Sequence, residues 1–183
     1  YKRQVLGADH IAENKEVVST LQAVGLDADK IKAIIYQFVT LTRGGEQVKM
    51  STRRAEYVTV DELLDEVGRD VVRFMFLTRK ADSHLEFDIE LAKKQSADNP
   101  VFYVQYAYAR ICSVEKQATE AGIRSLSATD SHLDRLTAPE ERALMRLLAQ
   151  YPDIVEDAAR MIEPHRVVFY LIELASEFHR FYN

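Results

Sequence analysis

The stretch NPVFYVQYAYARI, residues 99–111, opens a helix that separates two halves of different character. An N-cap Asn accepts from a free amide of the first helical turn, and Pro fits the first helical position because no amide is needed there. Asn99 and Pro100 are that pair, and the helix can run from Pro100 to Gly122. At about 100° per residue, Val101, Val104, Tyr108 and Ile111 fall on one apolar stripe, whereas Tyr103, Tyr106 and Arg110 gather on nearly the opposite side. The stripe is the expected packing face. The other side carries two rings and a guanidinium, which either bury against another helix or stack on unpaired bases and meet their phosphates.

Downstream, residues 123–136 are rich in Ser, Thr and Asp and read as a loop. Thr137 with Glu140 has the spacing of a capping box, and three further helices are expected near 138–150, 152–162 and 164–182. His165, Arg166 and His179 in this part are expected to be packing or surface residues. Upstream, QVLGADH reads as a strand breaking at Gly7, the place where an open α/β sheet hands over to a ligand-facing turn. Val17, Val18, Leu21 and Val24 follow a helical period that Gly25 stops. IIYQFVTLT is an apolar run, strand or helix end, and Gly44-Gly45 requires a tight turn before EQVKM returns as an extended segment. Thr59 and Glu62 cap the helix VDELLDEV, Gly68 ends it, RDVVRFMFLTR makes a second helix, and HLEFDIEL reads as a brief extended link. The chain is therefore mainly α, with an α/β part over residues 1–95 and an α-helical bundle over 96–183.

The 183 residues carry 47% apolar and 29% charged side chains, values of an ordinary globular protein. No apolar run approaches the roughly 20 residues that span a bilayer, and no signal peptide opens the chain, so no membrane partner and a cytoplasmic location are expected. Cys112 is the only cysteine, which excludes disulfide frameworks and cysteine-based metal sites. The five histidines lack ligand spacing, so no protein-bound metal is assigned. A first residue Tyr1, with no Met, suggests a piece of a longer chain.

One stretch runs against the net charge of −5: RGGEQVKMSTRR, residues 43–54, sets Arg43, Lys49, Arg53 and Arg54 against Glu46 alone. Such a local excess is either a solvated basic loop or a docking place for an anion, with phosphate the obvious candidate.

Together with GADH (7–10), FVTLTRGGEQVKMSTRRAEYVTVDELLDEVGRDVVRFMFL (38–77), ADSHLEFDIELAKKQSADNPVFYVQYAYARI (81–111) and EPHRVVFYLIELASEFHRFYN (163–183), this stretch resembles arginyl-tRNA synthetase, a class I aminoacyl-tRNA synthetase, over nearly the whole chain. The resemblance implies the end of a Rossmann-type α/β catalytic domain joined to an anticodon-binding helical bundle, truncated at its C-terminus. It implies that the parent activates L-arginine with ATP and Mg²⁺ and transfers it to tRNA(Arg). Lys49, Met50, Ser51 and Arg53 match a KMSK-type loop that holds the ATP phosphates, with Thr52 where many class I enzymes have a second lysine. Lys49, Ser51 and Arg53 would serve the reaction itself, with Met50 at the nucleotide. A positioned ammonium stabilises charge building on departing pyrophosphate more than it stabilises bound ATP. Gly7, Asp9 and His10 become candidates for ribose and adenine contacts, although Ile11, Ala12 and Glu13 stand where the family continues with His, Gly and Tyr. Tyr103, Tyr106 and Arg110 become candidates for RNA contact. The HIGH-type motif lies outside these residues, so this piece alone is expected to form no arginyl-adenylate. The alternative is a non-enzymatic helical RNA-binding or interaction module.

Overall fold

The structure, a computed structural model, describes residues 2–48, 57–123 and 132–183. The chain divides into two compact units, Tyr1–Glu90 and Leu91–Asn183.

In the first unit, β1 (Lys2–Gly7) and β2 (Ile31–Tyr36) pair in parallel, with α1 (Ile11–Ala23) as the crossover and Gly7 opposite Tyr36 at the end of the register. The apolar run left open between strand and helix resolves into two strands, β2 and β3 (Val39–Arg43), joined through Gln37 and Phe38. β3 turns through Gly44 and Gly45 into β4 (Glu46–Gln47), and the φ values of 60° and 83° at the two glycines are those of a hairpin turn closed to ordinary L residues.

The segment read as an extended link is more than that. Leu85–Asp88 forms β5 and pairs in parallel with β3, Val39 opposite Leu85 and Thr42 opposite Asp88. Its alternation drives the pairing: Leu85 and Phe87 are buried, while Glu86 between them is exposed. Leu41, Leu63, Val72 and Met75 complete this core, and the Phe76 ring lies 5.8 Å from that of Phe87. Between β4 and β5 lie α2 (Val60–Val67) and α3 (Arg69–Phe76). The capping box at the start of α2 is present: Glu62 N donates to Thr59 Oγ1 at 3.1 Å, and Thr59 N donates to Glu62 Oε2 at 2.8 Å. Gly68 links the two helices at φ 86° and ψ 151°.

The break between units falls inside the short helix α4 (Ile89–Lys93). In the second unit α5 (Pro100–Glu120), α6 (Pro139–Ala149) and α7 (Tyr151–Met161) all pack on α8 (His165–Tyr182). Val101, Ala107, Leu147, Ala158, Val168 and Ala175 are buried, and Tyr170, also buried, donates its hydroxyl to the Leu147 carbonyl at 3.2 Å. Asn99 caps α5: its Oδ1 accepts from Val101 N, while its Nδ2 donates to the carbonyls of Ala92 and Lys94.

Two expectations need correction here. The cap of α6 is Ala138, one residue later than the Thr137 frame, because Pro139 takes the first helical position; Glu141 Oε2 then accepts from Ala138 N at 2.8 Å. The packing face of α5 is also rotated from the predicted stripe. Val101 is buried, but Tyr108 and Ile111 are exposed, at 70% and 39%. The face turned to the bundle runs through Tyr103, Ala107 and Arg110, where the small Ala107 admits close approach of a neighbouring helix.

Candidate functional site

Three groups of residues were singled out by the sequence, and the structure treats each differently. At the carboxyl ends of β1 and β2, Gly7 runs into a 3-10 turn, Ala8–His10, that leads directly into α1. This is the edge at which open parallel sheets bind ligands. A Cβ on Gly7 would stand 2.4 Å from Asp9 Oδ1 and 3.7 Å from the Tyr36 hydroxyl, so the glycine makes room for the Asp9 carboxylate against the backbone. The N-cap position of α1 is His10, whose side chain makes no capping bond, and the Asp9 side chain is largely exposed. His10 Nε2 lies 3.7 Å from Asp9 Oδ2, and its Nδ1 lies 4.0 Å from Glu13 Oε1. Beside them opens a cleft of about 240 Å³ lined by Gln4, Leu6, His10, Glu13, Asn14 and Val17. Gly7, Asp9 and His10 are thus brought together, and His10 is shared with the cleft.

Lys49, Met50, Ser51 and Arg53, together with Thr52 and Arg54, lie outside the described residues. The stems on either side of them are described. On the entry side Val48 N donates to the Leu41 carbonyl at 2.9 Å, continuing the hairpin past β4. On the exit side stands the capped start of α2. Arg43, read as one of four loop cations awaiting an anion, already has protein partners. Its Nη1 and Nη2 donate to Glu66 Oε1 and Oε2 at 2.6 and 2.8 Å, and Nη1 also lies 3.4 Å from Glu90 Oε1. Two parallel bonds to one carboxylate are the strong form of this pair. Net charge along the sequence did not show it because Glu66 follows the basic stretch by a whole helix.

The third group lies in the helical unit. Tyr103, Tyr106 and Arg110 come together, but toward α8 and not away from the bundle. The Tyr103 ring lies 4.7 Å from that of His179. Tyr106 lies between His179 at 5.7 Å and Phe102 at 6.0 Å, nearly parallel to the latter. The Arg110 guanidinium stands 4.9 Å above the Tyr106 ring, and Nη1 lies 3.3 Å from His179 Nδ1. Arginine has no nitrogen that accepts, so this contact takes Nδ1 as acceptor and leaves the Nε2 proton facing the Tyr103 carbonyl at 3.5 Å. His179, expected from the sequence to be a packing or surface residue, is the buried centre of this cluster. The helical spacing of His179 and Tyr182 on α8 is the signal that could have found it. Tyr106 keeps 46% of its surface exposed, so one ring of the group remains accessible.

Among the described residues no group of His, Cys, Asp or Glu is placed to hold a metal ion, and no helix is long and apolar enough to cross a membrane.

The helical unit has known counterparts: residues 104–183 match the DALR anticodon binding domain family, which sets its class. Over 98% of its length the chain is 52% identical to an arginine–tRNA ligase of Desulfotalea psychrophila, and over 97% it is 50% identical to one of Geobacter metallireducens, covering 32% of each. A solved arginyl-tRNA synthetase structure from Campylobacter jejuni superposes with a TM-score of 0.85 at 30% identity, over 99% of this chain and 39% of that one. The Thermus thermophilus arginyl-tRNA synthetase gives 0.78 at 25% identity, over 99% of this chain and 32% of that one. The chain corresponds to the C-terminal region of arginyl-tRNA synthetases, and it spans about a third of the length of these curated relatives.

Proposed function

We propose that this chain is the part of a cytoplasmic arginine–tRNA ligase that carries the ATP-phosphate loop and the anticodon-binding helices. The observation that carries the reading is the 52% identity to an arginine–tRNA ligase over 98% of the chain. In the whole enzyme the carboxylate of L-arginine attacks the α-phosphorus of ATP, which enters as substrate with its Mg²⁺. Pyrophosphate departs, and arginyl-adenylate forms. A terminal ribose hydroxyl of tRNA(Arg) then attacks the activated carbonyl and AMP leaves.

Lys49, with Ser51 and Arg53, meets the charge that develops on the departing pyrophosphate, and Met50 lies at the nucleotide. Asp9 is an acceptor suited to ribose hydroxyls, and the glycine at position 7 allows close approach at that edge. In the helical unit the exposed side of Tyr106 offers a stacking surface for an unpaired base, and Arg110 beneath it supplies charge. By itself the chain forms no adenylate.

The test is a titration of this chain with tRNA(Arg) and with the same tRNA bearing a changed anticodon, read by affinity and by nuclease protection. Tighter binding of the unchanged tRNA with protection of its anticodon loop supports the reading. Equal affinity for both, or protection elsewhere only, overturns the assignment of the helical unit.

A further inference from the structure

Arginines on the last three helices are of two kinds. Each of the three on α7 and α8 is matched by an acid three residues earlier in the chain: Arg160 by Asp157, Arg166 by Glu163 and Arg180 by Glu177. Helix α6 carries the other kind. Arg142 and Arg146 are exposed, one turn apart on the same side of α6, and among the described residues no carboxylate lies within ion-pair distance of either. The spacing explains it. The positions four and three before Arg142 are Ala138 and Pro139, those before Arg146 are Arg142 and Ala143, and those after Arg146 are Ala149 and Gln150. Glu140 falls on the far side of the helix at about 100° per residue, and Glu141 is taken up by the cap, where its carboxylate accepts from Ala138 N. Leu147 is buried where α6 packs on α8, which turns the arginine side outward. Two like charges at this spacing weaken a helix, and an anion that meets both offsets their repulsion.

We infer that Arg142 and Arg146 form a clamp for neighbouring phosphates of the tRNA(Arg) backbone, a sequence-independent contact separate from base stacking at Tyr106. The inference rests on the reading of the helical unit as the tRNA-binding part of the ligase. A guanidinium meets phosphate oxygens through a planar fork of donors, and two forks on one helix face can follow successive phosphates of a strand. Such contacts fix where a nucleic acid lies without reading its sequence. RNA fits this face better than an acidic protein surface does, because residues 104–183, which include α6, match an anticodon binding domain. A chain of net charge −5 repels a polyanion over most of its surface, so the face that meets RNA needs cations not already neutralised by the protein.

The experiment titrates this chain with tRNA(Arg) over a series of KCl concentrations and reads the slope of log affinity against log salt. Each phosphate contact contributes about 0.7–0.9 to the magnitude of that slope through counterion release. Arg142→Gln and Arg146→Gln are each expected to flatten the slope by that amount, and the double variant by twice as much. The loss should be the same for tRNA(Arg) and for the same tRNA bearing a changed anticodon. Melting temperature should hold or rise slightly, because a like-charge pair is removed. Arg142→Lys retains the charge and should retain the slope, and Arg160→Gln, which removes an arginine already paired with Asp157, should leave it unchanged. A wild-type slope in the folded double variant overturns the inference; a lower melting temperature of that variant in the full-length ligase alone would then assign the pair to an acidic surface of the rest of the enzyme. A marked drop in melting temperature of both single variants of this chain makes the pair structural and also overturns it. Failure of the wild-type chain to bind tRNA overturns the inference together with the reading beneath it. Equal affinity of the wild-type chain for the two tRNAs, with the slope still flattened in the double variant, overturns the anticodon assignment alone and upholds the clamp.

Discussion

The Arg110 guanidinium sits 4.4 Å above the ring of Tyr182, so the last turn of α8 is held against the middle of α5 by a cation over an aromatic face. This contact changes what the tyrosines of α5 are for. Tyr103 is half-buried on His179, whereas Tyr106 retains 46% of its surface. Tyr103→Ala should therefore destabilise the helical unit by about 2–3 kcal/mol, the scale for removing a large ring from a partly closed site. Tyr106→Ala should cost about 1 kcal/mol or less in stability, yet lower tRNA affinity by about 1–3 kcal/mol for the base it stacks. Urea unfolding and tRNA titration of the two variants separate these effects. The opposite ordering would assign base stacking to Tyr103.

Asn99 makes a sharper demand on its chemistry. Its amide donates to two carbonyls while its oxygen caps α5, and the residue is 3% exposed. Asn99→Ala should cost about 2–4 kcal/mol, from the lost cap and two unmet acceptors. Asn99→Asp retains the cap but cannot donate when ionised, so it should also destabilise strongly, and more so at neutral pH than in acid. A denaturant midpoint for Asn99→Asp equal to that of the parent would refute the donor role.

Gly68 separates α2 from α3 in a backbone region that only glycine occupies readily, and a Cβ there meets nothing within 4 Å. Gly68→Ala should therefore cost about 1–3 kcal/mol through the backbone alone. Thermal melts of Gly68→Ala and Gly68→Asn check it, and both variants are expected to lose stability, because the tolerance of Asn for positive φ is mostly confined to the left-handed helical region, far from ψ 151°.

The Glu62 carboxyl is held below its ordinary range, first by the backbone N–H of Thr59 and then by its hydroxyl. A group depressed in the folded state contributes stability above its unfolded pKa and loses it as pH falls through the folded one. The melting advantage of the parent over Glu62→Ala should be full at neutral pH and shrink in acid, below the usual carboxylate range. An advantage independent of pH would mean that the cap does not depend on ionisation.

The pattern of what the sequence revealed follows from the range of the forces involved. The Gly-Gly turn, the Thr59–Glu62 box and the Asn99-Pro100 start are local, set by a few neighbouring residues, and each is present. The Thr137 frame went astray by one position because Thr, Ala and Pro precede two glutamates, and only the proline fixes which one closes the cap. The parallel partner of β3 and the buried side of α5 are chosen by elements far along the chain. A helical wheel showed the angle between the two α5 faces, but α8 decided which one was covered. Arg43 illustrates the same limit at the candidate site: a charge count within twelve residues does not reach Glu66.

The pairing of Val39 with Leu85 also bears on the order in which the protein is made. The β3–β4 hairpin emerges from the ribosome early, but its other neighbour, β5, is synthesised only after both α2 and α3. Closing so long an intervening segment into a parallel pair is slow compared with forming a hairpin or a helix. During that interval one edge of β3, including the apolar Val39 and Leu41, has no strand beside it. A pause in translation before Leu85 would lengthen the exposure of that edge, at a stage when no helix of the second unit has yet been made.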